Sequence, residues 1–296
     1  SFRLAAVFGM IATLMTIQMG DESGYLVTKD QPTKIAAMEA IWETHEAPAP
    51  LTLFAIPDEA AQTNHAQIDV PWLFGLMGTR SLSTEIPGIK ELTAQAEQRI
   101  VNGQKAIGVL EQLRKDPANE QLREQFLAVR DDLGFGLLLK RYTNDVNAAT
   151  PEMIKQAAAD TIPSVTPMFW SFRIMVGSGL AMALVFVLGL FYSFRNEIAE
   201  KAWYLRLAVL ALPLPWIASE AGWFVAEYGR QPWTIYNVLP THLSVSALTA
   251  GDVAGSLLGF GVLYTALLVV EIWLMIRISR RGPSALGTGR YHFERN

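Results

Sequence analysis

A chain of 296 residues with 51% hydrophobic content and a net charge of −4 has no basic surplus with which to hold nucleic acid. It has no cysteine, which excludes disulfides, thiolate metal sites and cysteine nucleophiles. The apolar residues are unevenly spread: residues 20–167 read as an ordinary soluble sequence, and most of the remainder as apolar runs with few charges.

In chain order, Phe2–Met19 comes first, short but nearly free of charge. A helix needs about twenty apolar residues to cross a bilayer core of roughly 30 Å. Arg3 is a lone positive charge and Thr16-Ile17-Gln18-Met19 is a poor cleavage site, so this start reads as the interior of a longer polypeptide and not as a signal peptide. Gly20-Asp21-Glu22-Ser23-Gly24 then opens a polar domain. Within it, Lys34–Thr44 suits a short helix, while Ala47-Pro48-Ala49-Pro50 and Ile56-Pro57-Asp58 signal turns or extended chain. Lys90–Leu113 and Asn119–Leu139 carry apolar residues at a spacing near 3.6, which predicts two amphipathic helices parted by Asp116-Pro117.

Three further apolar stretches follow. Ile174–Phe194 runs uncharged between Arg173 and Arg195. Leu207–Ala226 is apolar apart from Glu220 and is interrupted at Pro213 and Pro215, and Val253–Ile276 is apolar apart from Glu271. Buried helices of a soluble core rarely stay uncharged on every face, so these segments read as membrane spans. The expected fold is all-α: a polytopic membrane helix bundle with a large, mainly helical loop domain. Residues 1–19 form a transmembrane helix, 20–167 the loop domain, and 168–296 a three-helix membrane region ending in a tail.

Basic residues in short loops set the orientation. The 195–206 loop carries Arg195, Lys201 and Arg206, and the tail carries Arg277, Arg280, Arg281, Arg290 and Arg295. Two spans precede the loop and four precede the tail, so both face the cytoplasm together with Arg3. Residues 20–167 and 228–250 then face outward.

Acids within membrane helices are costly and therefore candidates for function. Glu220 and Glu227 lie two helical turns apart, with Trp223 between them on nearly the same side. Arg230 follows Glu227 by three and is within reach if the helix continues. That face is either a cofactor or proton site, or an interfacial tryptophan beside a surface ion pair. Arg173 and Met175 are two residues apart on one helix and so point to roughly opposite sides. A methionine there can ligate haem iron or simply pack; an arginine can pair with propionates or anchor the helix at the interface. Lys34 and Glu39, five apart, are not neighbours on a helix face and read equally as two solvated charges. Glu271 is either a snorkelling acid or part of a proton path. His45, His65, His242 and His292 are scattered without metal-ligand spacing, and no phosphate loop or nucleophile elbow is present.

The run Gly20-Asp21-Glu22-Ser23-Gly24-Tyr25, followed by Lys34 and Glu39, resembles the start of the quinol-binding loop in subunit I of cytochrome bd-type quinol oxidases. Phe172-Arg173-Ile174-Met175 is similar to that family's low-spin haem b ligand region. Residues 220–233, which read EAGWFVAEYGRQPW, resemble its long signature motif, and Thr288-Gly289-Arg290-Tyr291-His292-Phe293 resembles its C-terminal tail. The resemblance covers essentially the whole chain, and its long loop is that of the long quinol-loop type.

By position, the resemblance implies that Met175 is an axial ligand of the low-spin haem b, with Arg173 beside it. It implies that Glu227 ligates the high-spin haem b iron, that Trp223 lies between haems, and that Arg230 steadies their charges. Lys34 and Glu39 become quinol-site residues, with Asp21 a weaker candidate there. The implied reaction oxidises quinol on the periplasmic side and reduces O2 to water through two haems b and haem d, generating proton motive force without pumping. The implied setting is the bacterial inner membrane. The implied partners are the N-terminal part of the same subunit, oxidase subunit II, a small single-helix subunit, and ubiquinol or menaquinol. The family carries the histidine ligands of the low-spin haem b and of haem d in an N-terminal half with no counterpart in these residues, and His242 is no replacement. Two readings from other classes stand beside this one. One is a haem-free proton- or ion-coupled transporter subunit using Glu220 and Glu271. The other is a membrane-anchored binding protein, against which Glu220 argues.

Overall fold

The structure is a computed structural model that describes residues 2–281; the tail motif at 288–293 and its basic residues beyond 281 lie outside them. The chain divides into two compact units, residues 1–244 and 245–296. In the first unit, α1 spans Phe2–Asp30, α2 Pro32–Met38, β1 Leu51–Asp58 and β2 Thr63–Val70. The elements α3 (Ile89–Lys115), α4 (Glu120–Val129), α5 (Leu133–Leu138) and α6 (Pro151–Ala159) build most of the polar domain. Then come α7 (Val165–Phe194), α8 (Ala202–Leu210), α9 (Leu214–Tyr228) and a small hairpin of β3 (Trp233–Ile235) and β4 (Leu239–Pro240). The described part of the second unit holds one long helix, α10 (Ala250–Arg281), whose described side chains are exposed along its length.

Among the described residues, four helical segments are long and apolar enough to cross a membrane: Phe2–Asp30, Val165–Phe194, Ala202–Tyr228 and Ala250–Arg280. The fold is thus an all-α membrane architecture, as the hydropathy predicts. The boundaries differ from the expected ones. The first helix does not stop at Met19 but continues to Asp30. Gly20 and Gly24 sit inside it with open space at their Cα atoms, so each costs helix propensity without breaking the chain. At 29 residues α1 is roughly 43 Å long, and about nine of those residues extend past the thickness of a bilayer core. Likewise α7 begins at Val165, nine residues before the uncharged run at Ile174. Its first turns bury Val165, Met168 and Phe169 in the polar domain.

Pro213 and Pro215 split the third span as expected. Neither can donate to the helical ladder, and α8 and α9 meet at the turn between them. At the opposite end of α7, Arg3 donates to Ser193 Oγ (3.0 Å) and to the Asn196 side chain, which ties the start of α1 to the end of α7.

Two cores hold the polar domain. In α3, Ile89, Leu92, Ala96, Ile100, Gly103 and Ile107 recur at three- and four-residue intervals and form one buried stripe. Its later half packs with Phe135, Leu138, Leu139, Val146, Ala157 and Trp233. The other core gathers Ile35, Ala36, Ala37 and Met38 of α2 with Ala55, Phe74, Ile86, Val165, Met168 and Phe169, and with Phe224, Val225 and Tyr228 of α9 packed against it. The predicted helix at 34–44 is therefore only seven residues long, but it is buried on every side. The antiparallel pair β1–β2 takes in the expected turn-or-extended segment 56–58 at the end of β1, while residues 47–50 precede β1 and β2 has no counterpart among the expected elements. The Asn119–Leu139 helix is broken into α4 and α5 by a 3-10 turn at Arg130–Asp132.

Candidate functional site

The α2 helix ends at Glu39, wedged between the N-terminal part of α7 and the hairpin β1–β2. Glu39 is 3% exposed. Its Oε2 accepts from Arg173 Nη2 at 2.6 Å. The same guanidinium donates to the carbonyls of Met38 and Thr52, each at 2.5 Å, and lies 3.7 Å from the centroid of the Phe169 ring. One arginine on a membrane helix thus holds the end of α2 and strand β1 together. Burial pushes the Glu39 carboxyl up to about 7, although the charge of Arg173 and its hydrogen bond work against that rise. The other oxygen, Oε1, is buried and has no hydrogen-bond partner among the described residues. A buried acceptor in that state calls for an occupant.

Lys34 lies at the other end of α2, 7% exposed. Its Nζ donates to the Ala226 carbonyl (3.2 Å), one of the free carbonyls at the end of α9. Burial and the nearby charge of Arg230 lower the Lys34 ammonium below its ordinary value, and Glu227 opposes them. Gly229 permits this approach: a Cβ there would lie 3.1 Å from Lys34 Cε and would also press on Met168. The Glu227–Arg230 ion pair expected from the three-residue spacing forms. Arg230 Nε is buried and unpaired among the described residues.

Trp216, Glu220, Trp223 and Glu227 follow one another on a single stripe of α9. The first three are exposed, Trp223 at 64%, and Glu227 is half-exposed. Met175 lies elsewhere, against the bare backbone of α9: a Cβ on Gly222 would come within 3.0 Å of its Sδ. Arg173 and Met175 do diverge, as their spacing predicts. Arg173 turns into the loop domain, while Met175 faces α9.

Asp21 is not brought to Glu39. It sits on α1 beside Glu22, and both pair with Arg80, at 3.3 and 2.7 Å. The Arg80 guanidinium also lies 4.3 Å from the Tyr25 ring centroid. Glu271 is an exposed residue of α10. Sequence reasoning missed Arg80, Thr52 and Asn64. Thr52 acts through its carbonyl, which no side-chain pattern reveals. Arg80 and Asn64 meet partners far away in the chain and belong to no motif.

Comparison with known proteins sets this geometry in a lineage. The family described as "Cytochrome bd terminal oxidase subunit I" matches residues 1–283. The chain is 42% identical to the cytochrome bd-II ubiquinol oxidase subunit 1 of Escherichia coli K12, over 97% of its own length and 56% of that protein. It is 30% identical to the cytochrome bd ubiquinol oxidase subunit 1 of Bacillus subtilis 168, over 95% of its length and 48% of the relative. A putative cytochrome bd menaquinol oxidase subunit I of the same organism is 22% identical over a similar span. The chain therefore spans about half the length of the curated relatives it matches. With nearly all of its residues covered by the match, it belongs to the cytochrome bd terminal oxidase subunit I family.

Proposed function

We propose that this chain is the part of a terminal oxidase subunit that oxidises quinol outside the bacterial inner membrane and passes its electrons to haem. The observation that carries this reading is the seating of α2. Its two polar ends, Lys34 and Glu39, reach the two helices that bear Met175 and Glu227. Glu39 Oε1, buried and unpaired, takes a quinol hydroxyl proton, and a carboxyl near 7 is suited to accept and release it at neutral pH. Lys34 spends one donor on Ala226 and keeps others with which to orient a quinol oxygen. Asp21, tied to Arg80, is the outlying member of this set.

The residues fit the haem groups that the family implies. Met175 offers a soft thioether next to a glycine that leaves it room, the donor type of a low-spin haem b. Glu227 offers a carboxylate oxygen to a high-spin haem b, Trp223 an open ring beside it, and Arg230 a guanidinium with an unpaired Nε for propionate charge. Arg173 serves the loop side of Met175 through Glu39. When bound, these haems and haem d supply one-electron transfer and the site of O2 reduction. Quinol protons leave outside and those for water enter from the cytoplasm, so charge separates without a pump.

The basic residues Arg3, Arg195, Lys201 and Arg206 support a cytoplasmic face there and a periplasmic loop domain. The partners are the N-terminal part of the subunit, oxidase subunit II, a small single-helix subunit, and ubiquinol or menaquinol. The haem-free transporter reading is not favoured, because the relatives are named as oxidase subunits. The test is quinol oxidation by the assembled oxidase with Glu39→Ala or Lys34→Ala. Turnover falls in both while the haem spectrum is retained; loss of haem in both overturns the reading.

A further inference from the structure

Glu39 is held from two sides, and only one hold is the arginine. The residue after it, Ala40, is 2% exposed and adopts a left-handed backbone with φ of 52°. A non-glycine residue stays in that region only when its surroundings impose it. Local bonds close the turn: Glu39 N–H donates to Ile35 O (2.9 Å), Ala40 N–H to Ala37 O (3.3 Å) and Ile41 N–H to Ala36 O (2.8 Å). These bonds use the amides and leave the Ala40 carbonyl to be satisfied from outside.

Asn64 of β2 does so. Its Nδ2 donates to the Ala40 carbonyl (3.0 Å) and to Gln67 Oε1 (3.1 Å). Its Oδ1 accepts from the buried Trp42 Nε1 (2.8 Å). One side-chain amide therefore grips the chain on both sides of Ile41, immediately after Glu39. The hairpin that carries Asn64 also supplies, from β1, the Thr52 carbonyl that holds Arg173. Glu39 thus stands between two clamps built on one hairpin. Arg173 fixes its carboxylate, and Asn64 fixes the backbone that carries it.

We propose that Asn64 is a positioning residue of the quinol site, locking the Glu39–Trp42 reversal so that the free oxygen of Glu39 faces the substrate. The inference rests on the reading of Glu39 as the quinol base. The Asn64 side chain bonds to Ala40, Trp42 and Gln67 and not to Glu39, so its loss misplaces the base without removing it. Misplacing a catalytic group by a fraction of an ångström lowers turnover more than affinity.

The decisive variants are Asn64→Asp and Trp42→Phe in the assembled oxidase. Asn64→Asp keeps the shape and the acceptor for Trp42, but sets an oxygen against the Ala40 carbonyl. Trp42→Phe keeps most of the ring and removes the donor. In Asn64→Asp, kcat with saturating quinol is expected to fall about tenfold, with KM within about twofold, haem content unchanged and the loop resistant to trypsin. In Trp42→Phe the fall is about threefold. Wild-type kcat in Asn64→Asp, alongside a Glu39→Ala enzyme that no longer oxidises quinol, overturns the positioning role and leaves the Glu39 reading intact. If Asn64→Asp opens the loop to trypsin, Trp42→Phe decides: a lowered kcat in an intact loop supports the role, and a wild-type kcat overturns it. Turnover unimpaired in Glu39→Ala sinks the quinol-base reading, and the positioning role with it.

Discussion

Replacing Arg173 with glutamine removes a charge from the Glu39 site while leaving a side chain that can still donate a hydrogen bond. The size of the effect follows from the geometry. A nitrogen–oxygen separation of 2.6 Å places the two charge centres about 4 Å apart, where their attraction is about 4 kcal/mol at an effective dielectric constant of 20. Each pH unit corresponds to about 1.4 kcal/mol, so losing an attraction of that order carries the Glu39 carboxyl clearly higher. It starts at about 7, because burial already outweighs the arginine. The sign follows from the role proposed for Glu39: its ionised form accepts the quinol proton, so kcat/KM is expected to rise with pH until Glu39 is ionised and to be flat above. In the wild type that rise is centred near pH 7. In Arg173→Gln it moves to higher pH, and at neutral pH kcat/KM drops by roughly an order of magnitude or more. The assay is quinol oxidation from pH 5.5 to 10.5, normalised to haem content, with Glu39→Gln as the variant in which the pH-dependent rise disappears. An Arg173→Gln enzyme with a normal haem spectrum and a rise still centred near pH 7 would falsify the linkage between this pair and the reaction.

Two other substitutions test the membrane side of the site. Met175→Leu preserves bulk but removes the sulfur, and the reduced-minus-oxidised spectrum of the assembled oxidase should lose its low-spin haem b signal selectively; an unchanged spectrum excludes Met175 as a ligand. Gly229→Val places methyl groups where Lys34 Cε and Met168 now lie, at an overpacking cost of about 1–3 kcal/mol. It should cut quinol oxidation severalfold by displacing Lys34, and wild-type kinetics would show that Lys34 need not rest on the end of α9.

Hydropathy located the membrane helices because a bilayer imposes a requirement that every residue of a span must meet. It misplaced the ends of α1 and α7 that meet the polar domain, since beyond the lipid that requirement lapses. There α1 runs on through Asp21 and Glu22 because Arg80 receives their charge, and α7 begins early because Met168 and Phe169 enter the loop core. The Glu227–Arg230 pair was legible because helix geometry sets its spacing. The pairing of Glu39 with Arg173 was not, because 134 residues separate them and nothing local in either stretch names the other. Sequence spacing does show that Lys34 and Glu39 are poor partners for each other. It does not show that the buried helix between them sends each to a different membrane helix.

The distance along the chain between Glu39 and Arg173 also orders events during synthesis. At 5–20 residues per second, the 134 residues between them take roughly 7–27 s to translate. Throughout that interval Glu39 lacks Arg173, and α2, although α1 is already made, lacks the α7 packing that completes its burial. The site closes only after the start of α7 has been made, when Arg173 becomes available to Glu39. Completion of the loop then waits on α7. A chain stalled or misinserted before that point leaves the loop unfinished and open to proteases, with Glu39 not yet buried against Arg173.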